Sequence, residues 1–374
     1  MKVGLITYHS AYNFGSVLQA YATQKTLENM GHDVEIINYR MRSQKNFYSL
    51  FPIGVGKRAF INHVLAIPTI SKRKIRAKKY EDIICSVFNL TNECTEPEDL
   101  SKYKDKYDIY VSGSDQIISC HSNELVFCDN WVKYMGPYLL NFTEKKKISY
   151  ASSPNLMSDE ELGLIKNELQ KFSSLSCREE ESSEKLSKLL NKQVHTVLDP
   201  TLLLEKKEWI DFLGNWENSY INQKYIFYYV LKGTRALNKD LRTLSKLAAE
   251  LGLKIITVSP LSVVFPSKNI INVADAAVYD FLGLIKNAEY IITDSYHGTL
   301  FSVNFEKNFY SLQTAPGVNK RVEQMADRLG FRDRVIYDLK DIDFASSVDY
   351  KSICQNRGLH RKASIDYLER ALEN

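Results

Sequence analysis

A histidine flanked by hydroxyl side chains follows a short apolar run, Tyr290-Ile291-Ile292. The turn runs from Thr293 to Leu300 and contains Ser295, His297, Gly298 and Thr299. The change from an apolar run to small polar residues predicts a buried parallel strand that is followed by a turn and a helix. The first backbone N–H groups of a helix lack intrahelical partners, so the turn can hold an anion and the imidazole can move a proton. The alternative is a capped helix whose histidine is simply hydrogen-bonded, and the motif alone favours that alternative.

Four other predicted strand ends carry small or charged residues. They lie at His9–Ser16, with Asn13, Gly15 and Ser16; at Ser112, Gly113, Ser114, Asp115 and Gln116; at Ser152-Ser153; and at Arg178-Glu179. Ligands of open parallel sheets bind at the carboxyl ends of strands. These four strand ends belong to one series of alternating strands and helices, and the histidine turn belongs to a second series. We therefore expect the two sets of residues to meet across a cleft. Each polar loop could equally be a capped turn.

Arg178 follows the apolar residues of a short strand, where a charge needs a partner. It could pair with Glu179, Glu180 or Asp199, or it could offer its planar fork to a carboxylate or phosphate. Lys320-Arg321 is a second basic candidate for the same task.

Several classes of site are disfavoured. The chain lacks G-x-G-x-x-G and G-x-x-x-x-G-K-[ST], which argues against NAD and ATP. Its six cysteines form no C-x-x-C pair, and Cys120-His121 with Cys128 lacks metal-ligand spacing, so we predict no metal site. The net charge of +4 is modest and the aromatic residues fall mostly within strands, which argues against nucleic acid as a partner.

The length of 374 residues suggests two domains. Two successive series of alternating strands and helices predict an α/β protein with two Rossmann-like domains facing across a cleft, parallel sheets and a C-terminal helix. The predicted boundaries are 1–208 for the first domain, 209–222 for a linker, 223–350 for the second domain and 351–374 for the terminal helix.

The sharpest run of charge extends from Lys72 to Lys79. We interpret it as the solvated face of a helix. The alternative is attraction to anionic lipid, supported by the apolar stretch Phe60–Ile70 before it. The chain contains no run of about 18 apolar residues and no signal-peptide pattern at its start, so we expect a cytoplasmic protein, with peripheral membrane contact as the alternative.

Taken together, these residues resemble the polysaccharide pyruvyl transferase family. The resemblance covers nearly the whole chain and rests on several stretches in one order: Asn13–Tyr21, Tyr107–Gln116, Ile148–Ser152, Ser176–Glu180, Leu198–Leu203 and Thr293–Ser302.

The resemblance implies a GT-B-like fold, phosphoenolpyruvate as the donor substrate, no further cofactor, and a sugar of a cell-surface polysaccharide or its lipid-linked precursor as the acceptor. The product would be a pyruvate ketal that bridges two sugar hydroxyls. On this basis His297 is the candidate acid/base and Arg178 the candidate donor clamp. Ser295 stands where many members carry arginine, so Arg321 or Lys320 would supply the second positive charge. The alternatives are a nucleotide-sugar glycosyltransferase of the same architecture and a non-catalytic scaffold of a glycan-assembly complex.

Overall fold

The chain folds into two compact units that are both α/β. The computed structural model describes residues 1–49, 70–125, 128–259, 264–317 and 320–373. Unit 1 comprises Met1–Ile53, Glu81–Leu204 and Leu359–Asn374, and unit 2 comprises Gly54–Tyr80 and Glu205–Gly358.

Unit 1 is built on a parallel sheet with the strand order β2-β1-β3-β4. Its strands are β1 (Lys2–Ile6), β2 (Asp33–Ile36), β3 (Ile109–Asp115) and β4 (Lys147–Ser152), followed by the parallel pair β5 (Leu175–Cys177) and β6 (Val194–Thr196). Every residue of β3 and β4 is buried, as expected for strands of a parallel sheet that is covered on both faces.

The helices around these strands are α1 (Phe14–Asn29), α2 (Arg42–Phe47), α3 (Ile70–Val87), α4 (Trp131–Met135), α5 (Asp159–Gln170) and α6 (Glu180–Leu190). Helix α3 passes from unit 2 into unit 1 along the chain. Helix α5 begins with a capping box in which Ser158 and Glu161 satisfy each other's backbone N–H groups.

Unit 2 contains a six-stranded parallel sheet with the order β12-β11-β10-β7-β8-β9. The strands are β7 (Tyr225–Tyr229), β8 (Lys254–Thr257), β9 (Ile270–Asn272), β10 (Tyr290–Thr293), β11 (Asn308–Leu312) and β12 (Val335–Ile336). Counted from its first strand, this is the Rossmann order, which reverses direction between β7 and β10.

The helices of unit 2 include α7 (Lys206–Leu213), α8 (Thr234–Glu250), α9 (Val278–Asn287), α10 (Tyr296–Asn304) and α11 (Lys320–Leu329). Helix α8 buries Leu237, Leu241, Leu244 and Ala248, which recur at helical spacing and join the core cluster of strands β7 and β8. Amphipathic burial of this kind fixes a helix on one face of a sheet.

The terminal helix α12 (Tyr350–Glu373) begins one residue before the predicted segment 351–374, and from Leu359 onward it belongs to unit 1. Helix α7 occupies the first residues of the predicted linker 209–222. The structural units are therefore discontinuous in sequence, whereas the sequence suggested contiguous segments. Within the described part of the chain, no helix has both the length and the apolar character required to cross a bilayer.

Candidate functional site

The carboxyl ends of β1 and β3 are neighbours in unit 1, where the strand order reverses direction. Asn13 follows β1 and caps α1, because its Oδ1 accepts hydrogen bonds from Gly15 N at 2.9 Å and Ser16 N at 3.4 Å. The Ser16 hydroxyl then donates to Oδ2 of Asp115 at 2.8 Å. The structure thus brings together two loops that the sequence assigned separately to a ligand site.

Arg178 is buried among three carboxylates at the same edge. Its Nη2, Nε and Nη1 atoms lie 3.2 Å from Asp115 Oδ1, 3.1 Å from Glu179 Oε1 and 2.9 Å from Asp199 Oδ2. Its side chain is 1% exposed, and that of Asp199 is 0% exposed. Two of the partners proposed from sequence, Glu179 and Asp199, are therefore present, whereas Glu180 is exposed at the start of α6. A guanidinium engaged by three carboxylates is poorly placed to clamp an anionic donor.

The serines predicted to bind substrate in this region are hydrogen-bonded to nearby backbone. Ser112 Oγ donates to Tyr138 O, Ser114 Oγ to Ala151 O at 3.1 Å, and Ser152 Oγ to Ser112 O at 3.3 Å. The Ser114 and Ser152 hydroxyls hold the ends of β3 and β4 together, and the Ser112 hydroxyl ties β3 to the segment at Tyr138.

Gly113 is required by both its conformation and its surroundings. Its φ is +135°, and a Cβ atom there would lie 2.0 Å from the backbone oxygen of Tyr150. Asp115, two residues later, also has a positive φ of 78°. Gly113, which the sequence predicted as a substrate-binding residue, therefore allows β3 to pack closely against β4. A glycine in the sequence could equally allow a ligand to approach the backbone, so the residue type alone does not distinguish the two roles.

Sequence reasoning missed Glu124, a buried carboxylate in the loop after β3. Tyr48 OH donates to its Oε1 at 2.9 Å. Burial, and then the charge of Asp115, raise the pKa of Glu124 to about 7. No motif surrounds Glu124 in the sequence, so only the folded structure shows that this carboxylate is close enough to Asp115 to be affected by its charge.

In unit 2 the corresponding edge lies at the ends of β7 and β10, where the sheet reverses direction. Ser295 caps α10 by accepting a hydrogen bond from Gly298 N at 3.2 Å. Thr299 Oγ1 donates to Ser295 O and contacts Ser311 Oγ, each at 3.1 Å. The strand-to-helix turn predicted around residue 295 is therefore present, and its Ser295 and Thr299 hydroxyls build the turn itself.

Gly298 has no room for a side chain. A Cβ atom at this position would lie 2.4 Å from Thr293 Oγ1, the hydroxyl that accepts the hydrogen bond of Ser295 N. Glycine thus allows α10 to start directly against the end of β10.

His297 and Arg321, which are far apart in the sequence, both lie close to the ring of Tyr296. The rings of Tyr296 and His297 are edge-to-face with centroids 5.4 Å apart, and the Arg321 guanidinium carbon lies 5.8 Å from the Tyr296 ring centroid. His297 and Arg321 are half-buried, whereas Lys320 is exposed. The structure therefore places an imidazole and a guanidinium next to the same aromatic ring in unit 2, and their role in donor binding stays a prediction.

Asp294 is the acid beside this histidine. Its Oδ1 accepts a hydrogen bond from Leu231 N at 2.7 Å, which joins the ends of β7 and β10. Burial raises the pKa of Asp294 to about 6, although the Leu231 hydrogen bond opposes this effect.

A cavity of about 420 Å³ lies elsewhere, next to residues that precede β1 and β2. Thr26, His32, Leu204, Arg361 and Glu369 contribute to its lining. None of the predicted site residues lines it. The cavity is therefore separate from the strand ends that carry the predicted site residues.

The basic run at Lys72–Lys79 forms the first half of α3 and is partly committed to contacts within unit 2. Arg76 Nε donates to Ala276 O at 3.1 Å, and Lys79 Nζ lies 2.8 Å from Asp280 Oδ2. The remaining lysines of the run are exposed. Residues 60–69 of the apolar stretch that precedes the run lie outside the described residues.

The comparison with protein families supplies the decisive observation. The model for polysaccharide pyruvyl transferase matches residues 13–315, which include Asn13, Asp115, Arg178 and His297. The chain belongs to this family. A search of curated proteins found no significant match.

Solved structures confirm the fold. Similar chains include UDP-GlcNAc 2-epimerases from Methanocaldococcus jannaschii (14% identity, 96% of this chain and 93% of that one, TM-score 0.50) and Neisseria meningitidis (10%, 99% and 94%, 0.50). A putative UDP-N-acetylglucosamine 2-epimerase from Listeria monocytogenes is 8% identical over 99% and 91% of the two chains, with a TM-score of 0.52. The family member described here thus has the expected GT-B-like α/β fold with parallel sheets and a C-terminal helix.

Proposed function

We propose that this family member transfers the enolpyruvyl unit of phosphoenolpyruvate onto two hydroxyls of a sugar in a cell-surface polysaccharide or its precursor. The observation that carries the proposal is the family match across residues 13–315. The grouping of His297 with Arg321 at the carboxyl edge of unit 2 supports it, because this chemistry requires an acid beside a bound anion.

The proposed reaction begins when the His297 imidazolium donates a proton to the methylene carbon of the donor. The neighbouring carbon becomes cationic, and one sugar hydroxyl adds to it and returns a proton to the imidazole. The carbon–oxygen bond to phosphate breaks, and phosphate leaves with the electron pair. The second hydroxyl then attacks the same carbon and its proton passes to the released phosphate, which closes the ketal. Arg321, with Lys320, would hold the donor's anionic groups.

The carboxylates of unit 1 support a different task. Asp115, Glu179 and Asp199 outnumber the single guanidinium of Arg178 that they surround, so an anionic donor would be repelled there. Hydroxyls of a sugar, in contrast, donate hydrogen bonds readily to carboxylates. We therefore assign acceptor binding to the carboxyl edge of the unit 1 sheet at Asp115, and we describe Arg178 as a positioning residue. This assignment replaces the donor clamp expected from sequence.

A ligand comparison tests the proposal. Phosphoenolpyruvate at 100 times its dissociation constant should stabilise the protein by about 2.7 kcal/mol, and UDP-GlcNAc should not. Mass spectrometry of reactions with a panel of glycosides, free and lipid-linked, should detect a ketal product and released phosphate. Stabilisation by the nucleotide sugar alone would support glycosyl transfer instead, and stabilisation by neither ligand would support a scaffold.

A histidine variant tests the assigned acid. His297→Ala should lower the transfer rate about 10²–10⁴-fold, the usual contribution of general acid–base catalysis. His32→Ala is the matched control, since His32 lines the cavity near the start of β1 and β2. Full transfer activity in His297→Ala would refute the assignment.

A further inference from the structure

Three side chains with different metal-binding atoms converge within unit 1. The Cys120 thiol, the His121 ring and the Glu161 carboxylate each offer one ligand atom, and these atoms lie within 4.8 Å of one another. Cys120 and His121 belong to the loop after β3, whereas Glu161 lies in the first turn of α5. The grouping is therefore a product of folding, and the spacing of the cysteines does not reveal it.

The ligand atoms are held in place by their surroundings. Glu161 Oε2 accepts the backbone N–H of Ser158 at 2.8 Å and lies 3.1 Å from His121 Nε2. The loop is fixed on the other side, because Ser119 Oγ donates to Asn155 O at 2.8 Å and Ser122 N donates to Ser119 O at 3.1 Å. Such supporting hydrogen bonds orient ligands before a metal arrives.

We propose that Cys120, His121 and Glu161 bind one Zn²⁺ ion, with water as the fourth ligand. Thiolate sulfur, imidazole nitrogen and carboxylate oxygen are the three ligand types that tetrahedral zinc sites use. On binding, the S–H bond of Cys120 breaks, its proton passes to solvent, and sulfur donates an electron pair to the metal. Nε2 of His121 donates its lone pair in the same way, so the ring proton resides on Nδ1.

The chemistry of these residues favours zinc over calcium or magnesium, which bind through oxygen ligands. His121 is exposed, which leaves solvent access for the water ligand. The metal would connect the loop after β3 to α5 and thereby fix the loop that follows Asp115. Cys128 is not part of this group, since its Sγ contacts Ser43 Oγ at 3.1 Å.

Cobalt substitution provides the test. Metal-free full-length protein titrated with Co²⁺ should bind one equivalent and develop the near-ultraviolet charge-transfer absorption of a thiolate–cobalt bond. Zn²⁺ should displace the cobalt and raise the melting temperature. Cys120→Ser should abolish the thiolate absorption, and His121→Ala should weaken Co²⁺ binding at least tenfold.

Matched variants separate metal binding from folding. Glu161→Gln keeps the capping box, because glutamine also serves at that position, yet it should weaken Co²⁺ binding at least tenfold. Cys128→Ser and Cys85→Ser should bind Co²⁺ as the unaltered protein does. Absence of the thiolate absorption, its persistence in Cys120→Ser, or its loss in Cys128→Ser would overturn the proposal.

Discussion

Arg178 and Asp199 form a buried ion pair in which Nη1 lies 2.9 Å from Oδ2 and neither side chain is more than 1% exposed. Asp199 Oδ1 also accepts hydrogen bonds from the backbone N–H and the hydroxyl of Thr201, at 3.0 Å and 2.7 Å. The pair thus links the end of β5 to the turn after β6. Arg178 is therefore held by buried contacts and is a positioning residue.

Replacing Arg178 with alanine should destabilise the protein by about 3–5 kcal/mol, because it leaves buried carboxylates without their cation. Urea denaturation measures this change. Arg42→Ala is the control: Arg42 pairs with Glu96 at 2.9 Å but is 75% exposed, so its loss should cost less than about 1 kcal/mol. If Arg178→Ala kept full stability and lost only transfer, Arg178 would act on substrate directly.

Gly298→Ala should destabilise the protein by about 1–3 kcal/mol, since its Cβ would overlap the Thr293 hydroxyl. Gly163→Ala is the comparison within helix α5, where an added Cβ meets nothing within 4 Å and should stabilise by about 0.5–1 kcal/mol. Differential scanning calorimetry of both variants tests the expected opposite signs. Equal effects would mean that the turn at β10 tolerates a side chain.

The raised pKa of Asp294 predicts a pH-dependent contribution to stability. The folded state keeps this carboxyl protonated up to a pKa of about 6, whereas the reference value is 3.8, so the folded state binds more protons between these values. The contribution is fully present below pH 3.8 and is lost as pH rises through 6.

Asp294→Asn should remove this dependence and keep the acceptor for Leu231 N. Relative to the unaltered protein, the variant should gain about 2 kcal/mol between pH 4 and pH 7. Urea denaturation across this range provides the measurement. A stability difference between the two proteins that does not change with pH would contradict the predicted titration.

Arg321 should contribute to donor binding more than to the chemical step. Arg321→Ala should raise the KM for phosphoenolpyruvate about tenfold or more by removing a charge-assisted contact. Tyr296→Phe keeps the ring beneath Arg321 and should leave KM nearly unchanged. Initial-rate kinetics at saturating acceptor distinguishes these cases, and an unchanged KM in Arg321→Ala would exclude Arg321 from donor binding.

The exposed lysines of α3 provide a test for membrane contact. Lys72→Glu/Lys74→Glu/Lys78→Glu should reduce binding to anionic vesicles at least tenfold, because each basic residue near such a surface contributes about 1 kcal/mol. The charge-matched control on α8 is Lys239→Glu/Arg242→Glu/Lys246→Glu. Co-sedimentation with anionic and neutral vesicles measures the effect, and equal loss in both variants would indicate unspecific attraction.

Much of the fold follows from the sequence, because buried β-branched strands and amphipathic helices alternate clearly in it. Helix starts were less predictable. Helix α8 begins at Thr234 after the Gly233 cap, yet its apolar pattern begins only at Leu237, so the pattern alone does not indicate its first turn.

Only the part of the candidate site that is local in sequence could be predicted. Local pattern identifies the His297 turn, since strand end, cap and helix are adjacent in sequence. Pattern cannot reveal that Asp115 lies 3.2 Å from Arg178, because 63 positions separate them. Glu124 and Glu161 were missed likewise, as their roles depend on long-range contacts that only the fold creates.

The discontinuity of unit 1 has a consequence for biosynthesis. Residues 205–358 of unit 2 are translated before the final stretch of unit 1. That stretch includes Tyr367, whose hydroxyl donates to Ser149 O at 2.8 Å, and Ser364, whose hydroxyl accepts Leu198 N at 2.9 Å. On the ribosome, β4 and the segment after β6 therefore lack their contacts with α12 until that helix emerges. A nascent chain stalled at residue 358 would contain every residue of unit 2 but only part of unit 1. Synthesis therefore completes unit 2 first, although unit 1 begins earlier in the sequence.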